Sequence, residues 1–109
     1  MVVEFSKQFI KELKKHTSKA KAKILVNKLS STSPSEGDFV AIISHIVIRE
    51  KRLKSFRFYF IVKETKKQVI TEQELKNLII KFVALSKKNN QQQVINKLKE
   101  DLNKFGFRM

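Results

Sequence analysis

One stretch constrains the fold more than any other. From Ser55 to Val62 the chain reads Ser-Phe-Arg-Phe-Tyr-Phe-Ile-Val. Phe56, Phe58, Phe60 and Val62 recur at every second position, with Arg57, Tyr59 and Ile61 between them. A period of two is that of a β-strand, whose successive side chains point to opposite faces. The phenylalanine side is expected to lie in the core. The side bearing Arg57 and Tyr59 is expected to be the non-core face.

A partner strand precedes it. Phe39–Arg49 is rich in β-branched residues and reads as one strand. Val40, Ile42, Ser44, Ile46 and Ile48 form its more apolar side, expected to face the helices; Ala41, Ile43, His45, Val47 and Arg49 form the other. Glu50–Lys54 is a short basic connection, so the two strands are expected to form an antiparallel hairpin. A register that pairs Arg49 with Arg57 would gather Arg49, Arg57, Tyr59 and His45 on the non-core face. A slip of one residue would scatter them.

Helical signals flank this hairpin. Met1–Phe5 reads as a short strand, and Ser6 as the N-cap of a helix over about 7–16, with Phe9, Ile10 and Leu13 on its apolar side. Thr17 or Ser18 caps a second helix, about 18–30, with apolar positions at Ala20, Ile24, Leu25 and Leu29. Ser30–Asp38 holds the one proline and a glycine and reads as a loop. Thr71-Glu-Gln-Glu74 is a capping box. After it, Leu75, Leu78, Ile79 and Phe82 fit a helix, while Ile79, Ile80, Phe82 and Val83 fit a buried strand. β-Branched enrichment favours a short helix over 72–77 and a strand over 79–86. Asn89 or Asn90 caps a last helix carrying Val94, Ile95, Leu98 and Leu102, with Gly106 just past its end. The expected fold class is α+β: an N-terminal strand and a helical hairpin packed on a small antiparallel sheet, with a C-terminal helix. The 109 residues are expected to form a single domain.

Charge narrows the choice of partner. Lysine and arginine total 24 against 10 acids, a net charge of +14. Such a field draws polyanions. Lysine surplus alone also fits compositional drift, but three of the four arginines, Arg49, Arg52 and Arg57, fall within nine residues. The guanidinium fork grips a phosphate bidentately, which lysine cannot do. Cysteine is absent, which excludes disulfides and thiolate chemistry, and the two histidines and scattered acids offer no metal cluster. No cofactor is expected. The N-terminus lacks the apolar core of a signal peptide, and the apolar run Phe39–Ile48 is too short to span a membrane. A cytoplasmic protein without a membrane role is expected.

Three stretches, taken in order, carry a family likeness: Val3-Glu-Phe-Ser-Lys-Gln-Phe-Ile-Lys-Glu-Leu-Lys-Lys15, Ile48-Arg-Glu-Lys-Arg-Leu-Lys-Ser-Phe-Arg-Phe-Tyr-Phe60 and Phe82-Val-Ala-Leu-Ser-Lys-Lys-Asn-Asn-Gln-Gln92. Together they resemble the first strand and helix, the basic central strands and the last strand of RelE/ParE-superfamily toxins, in the last case of HigB-like members. The resemblance covers most of the chain. It implies a toxin of a toxin–antitoxin pair that cuts mRNA without a metal, often on the ribosome, and is neutralised by a cognate antitoxin. Other members, of the ParE kind, inhibit DNA gyrase and are not nucleases. One departure is plain: the C-terminus, Gly106-Phe-Arg-Met109, has Arg108 but neither the histidine nor the tyrosine expected there in the stronger nucleases.

RNA cleavage of this kind uses the 2′-hydroxyl as nucleophile. It needs a base, cations for the phosphorane and an acid for the leaving oxygen. The catalytic candidates are Arg49 and Arg57 for charge, Tyr59 for stacking or proton donation, and His45 for acid–base work. Arg52, Lys51, Lys54, Lys87 and Lys88 are the candidates for holding nucleic acid. Glu50 reads as a local charge partner, with a base role left open. The competing reading is a plain RNA- or DNA-binding module. In it Phe56, Phe58 and Phe60, if exposed, would stack on bases.

Overall fold

The computed structural model describes residues 2–63, 72 and 78–109. The capping box at 71–74 and the short helix expected over 72–77 lie outside the described residues, Glu72 excepted. The fold is α+β, as its local signals indicate. Strand β1 (Val2–Phe5) leads into α1 (Lys7–His16) and α2 (Lys19–Leu29). Strands β2 (Asp38–Ile43), β3 (Ile46–Leu53), β4 (Phe56–Lys63) and β5 (Ile79–Lys87) follow. A 3-10 turn (Lys88–Asn90) then enters α3 (Gln91–Phe105). The sheet order is β1-β5-β4-β3-β2, antiparallel except for the parallel pair β1–β5.

Both N-terminal helices start where serine offers a cap. The Ser6 side chain accepts from Phe9 N–H at 3.1 Å, and the Ser18 side chain accepts from Lys21 N–H at 3.2 Å. Each bond satisfies a donor that the first turn leaves open. In α2 the buried stripe is Ala22, Leu25 and Leu29, while Ile24 is 55% exposed. The stripe predicted through Ala20 and Ile24 is therefore turned. Spacings of three and four residues from Leu25 select Ala22 and Leu29 instead.

The strand expected over Phe39–Arg49 is two strands. Ser44 (φ 48°) and His45 (φ 66°) both adopt the left-handed conformation and make a tight hairpin turn between β2 and β3. Two such residues match the twist of the flanking strands. No Asn-Gly or Asp-Gly marks the turn, although histidine is among the non-glycine residues enriched at positive φ.

The β3–β4 connection is also shorter than expected. It consists of Lys54 (φ 55°) and Ser55 alone, and Glu50–Leu53 belongs to β3. Arg52 therefore pairs with Arg57, Glu50 with Tyr59 and Arg49 with Phe60. The register with Arg49 opposite Arg57 does not occur. Charge did not end the strand, because the charged residues of β3 find partners on either side of the sheet.

Each face of the sheet is covered. Phe9 and Leu13 of α1 and Leu25 and Leu29 of α2 pack on Phe58, Phe60 and Phe82. The opposite face, expected to be the non-core side, holds a second core. Ile95, Leu98 and Leu102 of α3 pack there on Ile48, Tyr59 and Ile61. Gly37 secures the loop before β2. Its φ is +78°, and a Cβ at that position would collide with the Glu50 carbonyl oxygen.

Candidate functional site

The site forms where three chain segments end together. On β3 and β4, Glu50, Arg52, Arg57 and Tyr59 share the α3 face because their pairs lie directly opposite. On β5, Ser86 stands opposite Arg57 and Lys87 opposite Phe56. The Asn90 side chain accepts from Lys87 N–H at 2.8 Å, closing the turn that delivers Gln91 at the start of α3.

Glu50 is the hub. It is 4% exposed, and a buried carboxylate needs partners for both oxygens. Arg52 Nε donates to Oε1 at 3.0 Å, and Arg57 Nε lies 3.7 Å from the same oxygen. Gln91 Nε2 donates to Oε2 at 2.9 Å, and Arg57 Nη1 donates to Gln91 Oε1. Glu50, Arg57 and Gln91 thus close a ring across three elements. The two arginines differ sharply: the Arg57 side chain is 13% exposed and that of Arg52 is 60% exposed. One guanidinium is enclosed, and the other binds Glu50 from the solvent side.

Tyr59 lies under this ring, fully buried, with its hydroxyl 2.9 Å from Ser86 Oγ. Burial pushes its hydroxyl above the ordinary value of 10.0, the Ser86 hydrogen bond pulls it back, and the Glu50 charge adds to the rise. A phenol so placed is neutral near pH 7 and does not reach a ligand.

Above the ring opens a cleft of about 510 Å³, lined by Arg52, Lys54, Ser55, Phe56, Arg57, Lys87, Lys88 and Asn89. Five of these are cations, and no Asp or Glu is among the described lining residues. The Lys87 ammonium sits 5.8 Å from the Phe56 ring centroid, within cation–π range. A larger cavity of about 780 Å³ lies between β1, α1 and the C-terminus. It mixes Glu4 and Asp101 with Lys7, Lys81 and Arg108 and holds none of the candidates named from the sequence. Among the described residues no three His, Cys, Asp or Glu converge as metal ligands. No helix among them is long and apolar enough to cross a membrane.

The cleft brings together Arg52, Lys54, Arg57, Lys87 and Lys88. The other four candidates are elsewhere. Arg49 is on the opposite face, where its Nη1 donates to the Gly37 carbonyl at 3.3 Å. Lys51 shares that face, and its ammonium donates to Thr32 Oγ1 at 3.1 Å and Glu36 Oε2 at 2.8 Å. His45 is in the far turn of β3, roughly 23 Å from Arg52 at the usual strand rise. Tyr59 is sealed beneath. The expected quartet of Arg49, Arg57, Tyr59 and His45 does not assemble, because the register places Arg49 and Arg57 on opposite faces. Glu50 is the charge partner the sequence indicated. Gln91 and Ser86 carried no local signal, since their partners are 27 to 41 residues away. No family model, curated protein or solved structure matches the chain.

Proposed function

We propose that the cleft binds the phosphate backbone of RNA and that the chain cuts it. On this reading it is a cytoplasmic RelE/ParE-like toxin, a metal-independent endoribonuclease with a cognate antitoxin as its protein partner. The supporting observation is the convergence of Arg52, Lys54, Arg57, Lys87 and Lys88 around one cleft whose described lining holds no acid. Like charges gathered in this way repel, and a polyanion relieves that repulsion. Arg57 adds direction. Glu50 stands against its Nε and Gln91 accepts from its Nη1, so the guanidinium is already ordered when a phosphate arrives.

In the reaction, the 2′-oxygen bonds to the adjacent phosphorus and the bond from phosphorus to the 5′-oxygen breaks. The products are a 2′,3′-cyclic phosphate and a 5′-hydroxyl. Arg57 and Arg52 neutralise the phosphorane. Lys87 and Lys88 hold the phosphate and supply a proton to the leaving oxygen. Glu50 is the carboxylate beneath the cleft, and it can accept the 2′-hydroxyl proton once the exposed Arg52 swings onto the phosphate. Tyr59 takes no part in proton transfer.

One observation favours a second reading, binding without cleavage: His45, Tyr59 and Arg49 lie outside the cleft. A single assay separates the two. End-labelled mRNA is incubated with the protein, alone in EDTA and, separately, with translating ribosomes in magnesium buffer. New 2′,3′-cyclic phosphate ends are expected, falling about 100-fold or more in Arg57→Ala. RNA that is retained but stays whole under both conditions establishes the binding module. RNA that is neither bound nor cut removes both readings.

A further inference from the structure

A second groove continues from the cleft. It has a volume of about 570 Å³ and runs along α1 and α2, where Lys15, Lys21, Lys28 and His16 line it. Lys54, Ser55 and Phe56 line both grooves, so the two meet at the β3–β4 turn. Here too no Asp or Glu is among the described lining residues. One of the cations is partly engaged, Lys15 lying 3.3 Å from Glu12.

The sequence of α2 points independently to an anion. Its eleven residues, Lys-Ala-Lys-Ala-Lys-Ile-Leu-Val-Asn-Lys-Leu, carry four lysines and no acid. Lys19 and Lys21 are in its first turn, at the positive end of the helix dipole, where cations are unfavourable. A short helix gains nothing internally from this arrangement. A bound polyanion turns the penalty into attraction.

Phe56 marks the junction. It is half-buried, with its ring centroid 6.3 Å from that of His16 on one side and Lys87 5.8 Å away on the other. A partly exposed ring that lines both cationic grooves offers a base a surface to stack on.

We infer that the two grooves form one continuous track for a single strand of nucleic acid. The strand enters at Arg52, Arg57, Lys87 and Lys88, rounds the hairpin tip at Lys54 against Phe56, and follows α1–α2 past Lys21 and Lys28. The occupant is single-stranded because the track turns around a two-residue hairpin. A duplex, stiff over about 150 base pairs, does not follow such a turn. The inference rests on the RNA-binding reading of the cleft, and its test separates the two.

Fluorescent 2′-O-methyl oligouridylates, which lack the attacking hydroxyl, are titrated at several salt concentrations. Oligomers of roughly 4 and roughly 12 nucleotides span short and long site sizes. The long oligomer is expected to bind about tenfold or more tightly than the short one. Lys21→Gln with Lys28→Gln is expected to weaken the long oligomer about five- to tenfold and to lower its salt slope by roughly 1.4. The same pair should leave the short oligomer within about twofold. Lys7→Gln with Lys11→Gln removes equal charge from residues that line neither groove and should leave both oligomers within about twofold. The track is overturned if the two double variants behave alike or if a duplex of the longer length binds as tightly as the single strand. If Arg57→Ala fails to weaken the short oligomer, the cleft reading itself falls. If it does weaken it while Lys21→Gln with Lys28→Gln changes nothing, only the track falls.

Discussion

The two faces of the sheet are made from alternate residues of the same strands, yet they end differently. On the α1–α2 face, aromatic packing runs unbroken along β4. Phe60 and Phe82 lie 5.2 Å apart, Phe9 and Phe58 6.0 Å, and Phe56 and Phe58 5.9 Å. On the α3 face, Ile48 and Ile61 pack on Ile95, Leu98 and Leu102. Toward the cleft these give way to the Tyr59–Ser86 pair and then to Glu50, Arg57 and Gln91. Burying a carboxylate costs free energy that its partners only partly return. An apolar residue at position 50 would serve packing as well. The α1–α2 face shows how this chain packs an apolar core. The other face departs from it where five cations surround an opening.

The first way to test that contrast is to weaken the apolar face. Phe58→Ala should cost about 3–5 kcal/mol in urea denaturation, since its fully buried ring touches both helix and sheet. Glu50→Ala should cost less, about 1–3 kcal/mol, the range for a buried polar group left without its partner. It leaves Arg57 half-satisfied in a largely buried position, while the exposed Arg52 regains water. If Glu50→Ala instead matches Phe58→Ala, the polar end contributes as much to stability as the core, and the contrast breaks.

Smaller effects sharpen it. Tyr59→Phe should cost about 1 kcal/mol by leaving the Ser86 hydroxyl without its partner. Because burial raises the folded-state value of Tyr59, its contribution is intact below pH 10.0 and is lost as pH rises from there through the raised value. Thermal melts between pH 9 and 11 should therefore fall less steeply in Tyr59→Phe. Glu36→Gln should have the smallest effect, under about 1 kcal/mol, because the pair with Lys51 is partly exposed. The Lys51 hydrogen bond holds the Glu36 carboxyl below its ordinary 4.5. Its contribution is thus present above pH 4.5 and lost as pH falls through the lowered value. Acid melts of the wild type and Glu36→Gln should converge at low pH.

Much of this protein was legible residue by residue. Ser6 and the Thr17–Ser18 pair announced helix starts because a cap is a hydrogen bond to a neighbour three residues on, and Ser18 makes the second one. The alternation from Phe56 to Val62 announced a strand because side-chain direction along a strand is local. The apolar stripe of α3 followed from its helical period, and the strand over 79–86 from β-branched enrichment where periodicity fitted helix and strand alike. Lysines and arginines near the tip of one hairpin pointed to the region of the cleft.

Register and layering were not legible. Lys54–Ser55 and Ser44–His45 turn without the glycine or asparagine that marks a tight hairpin, so the pairing expected for Arg49 was three residues off. An odd shift reverses every face, which moved Arg49 away from Arg57. The burial of Tyr59 required α3 to return across a face that β4 read alone presents as open. The Glu50–Arg57–Gln91 ring joins residues up to 41 positions apart. Contacts at that separation form only when the whole sheet closes, so no window of sequence contains them.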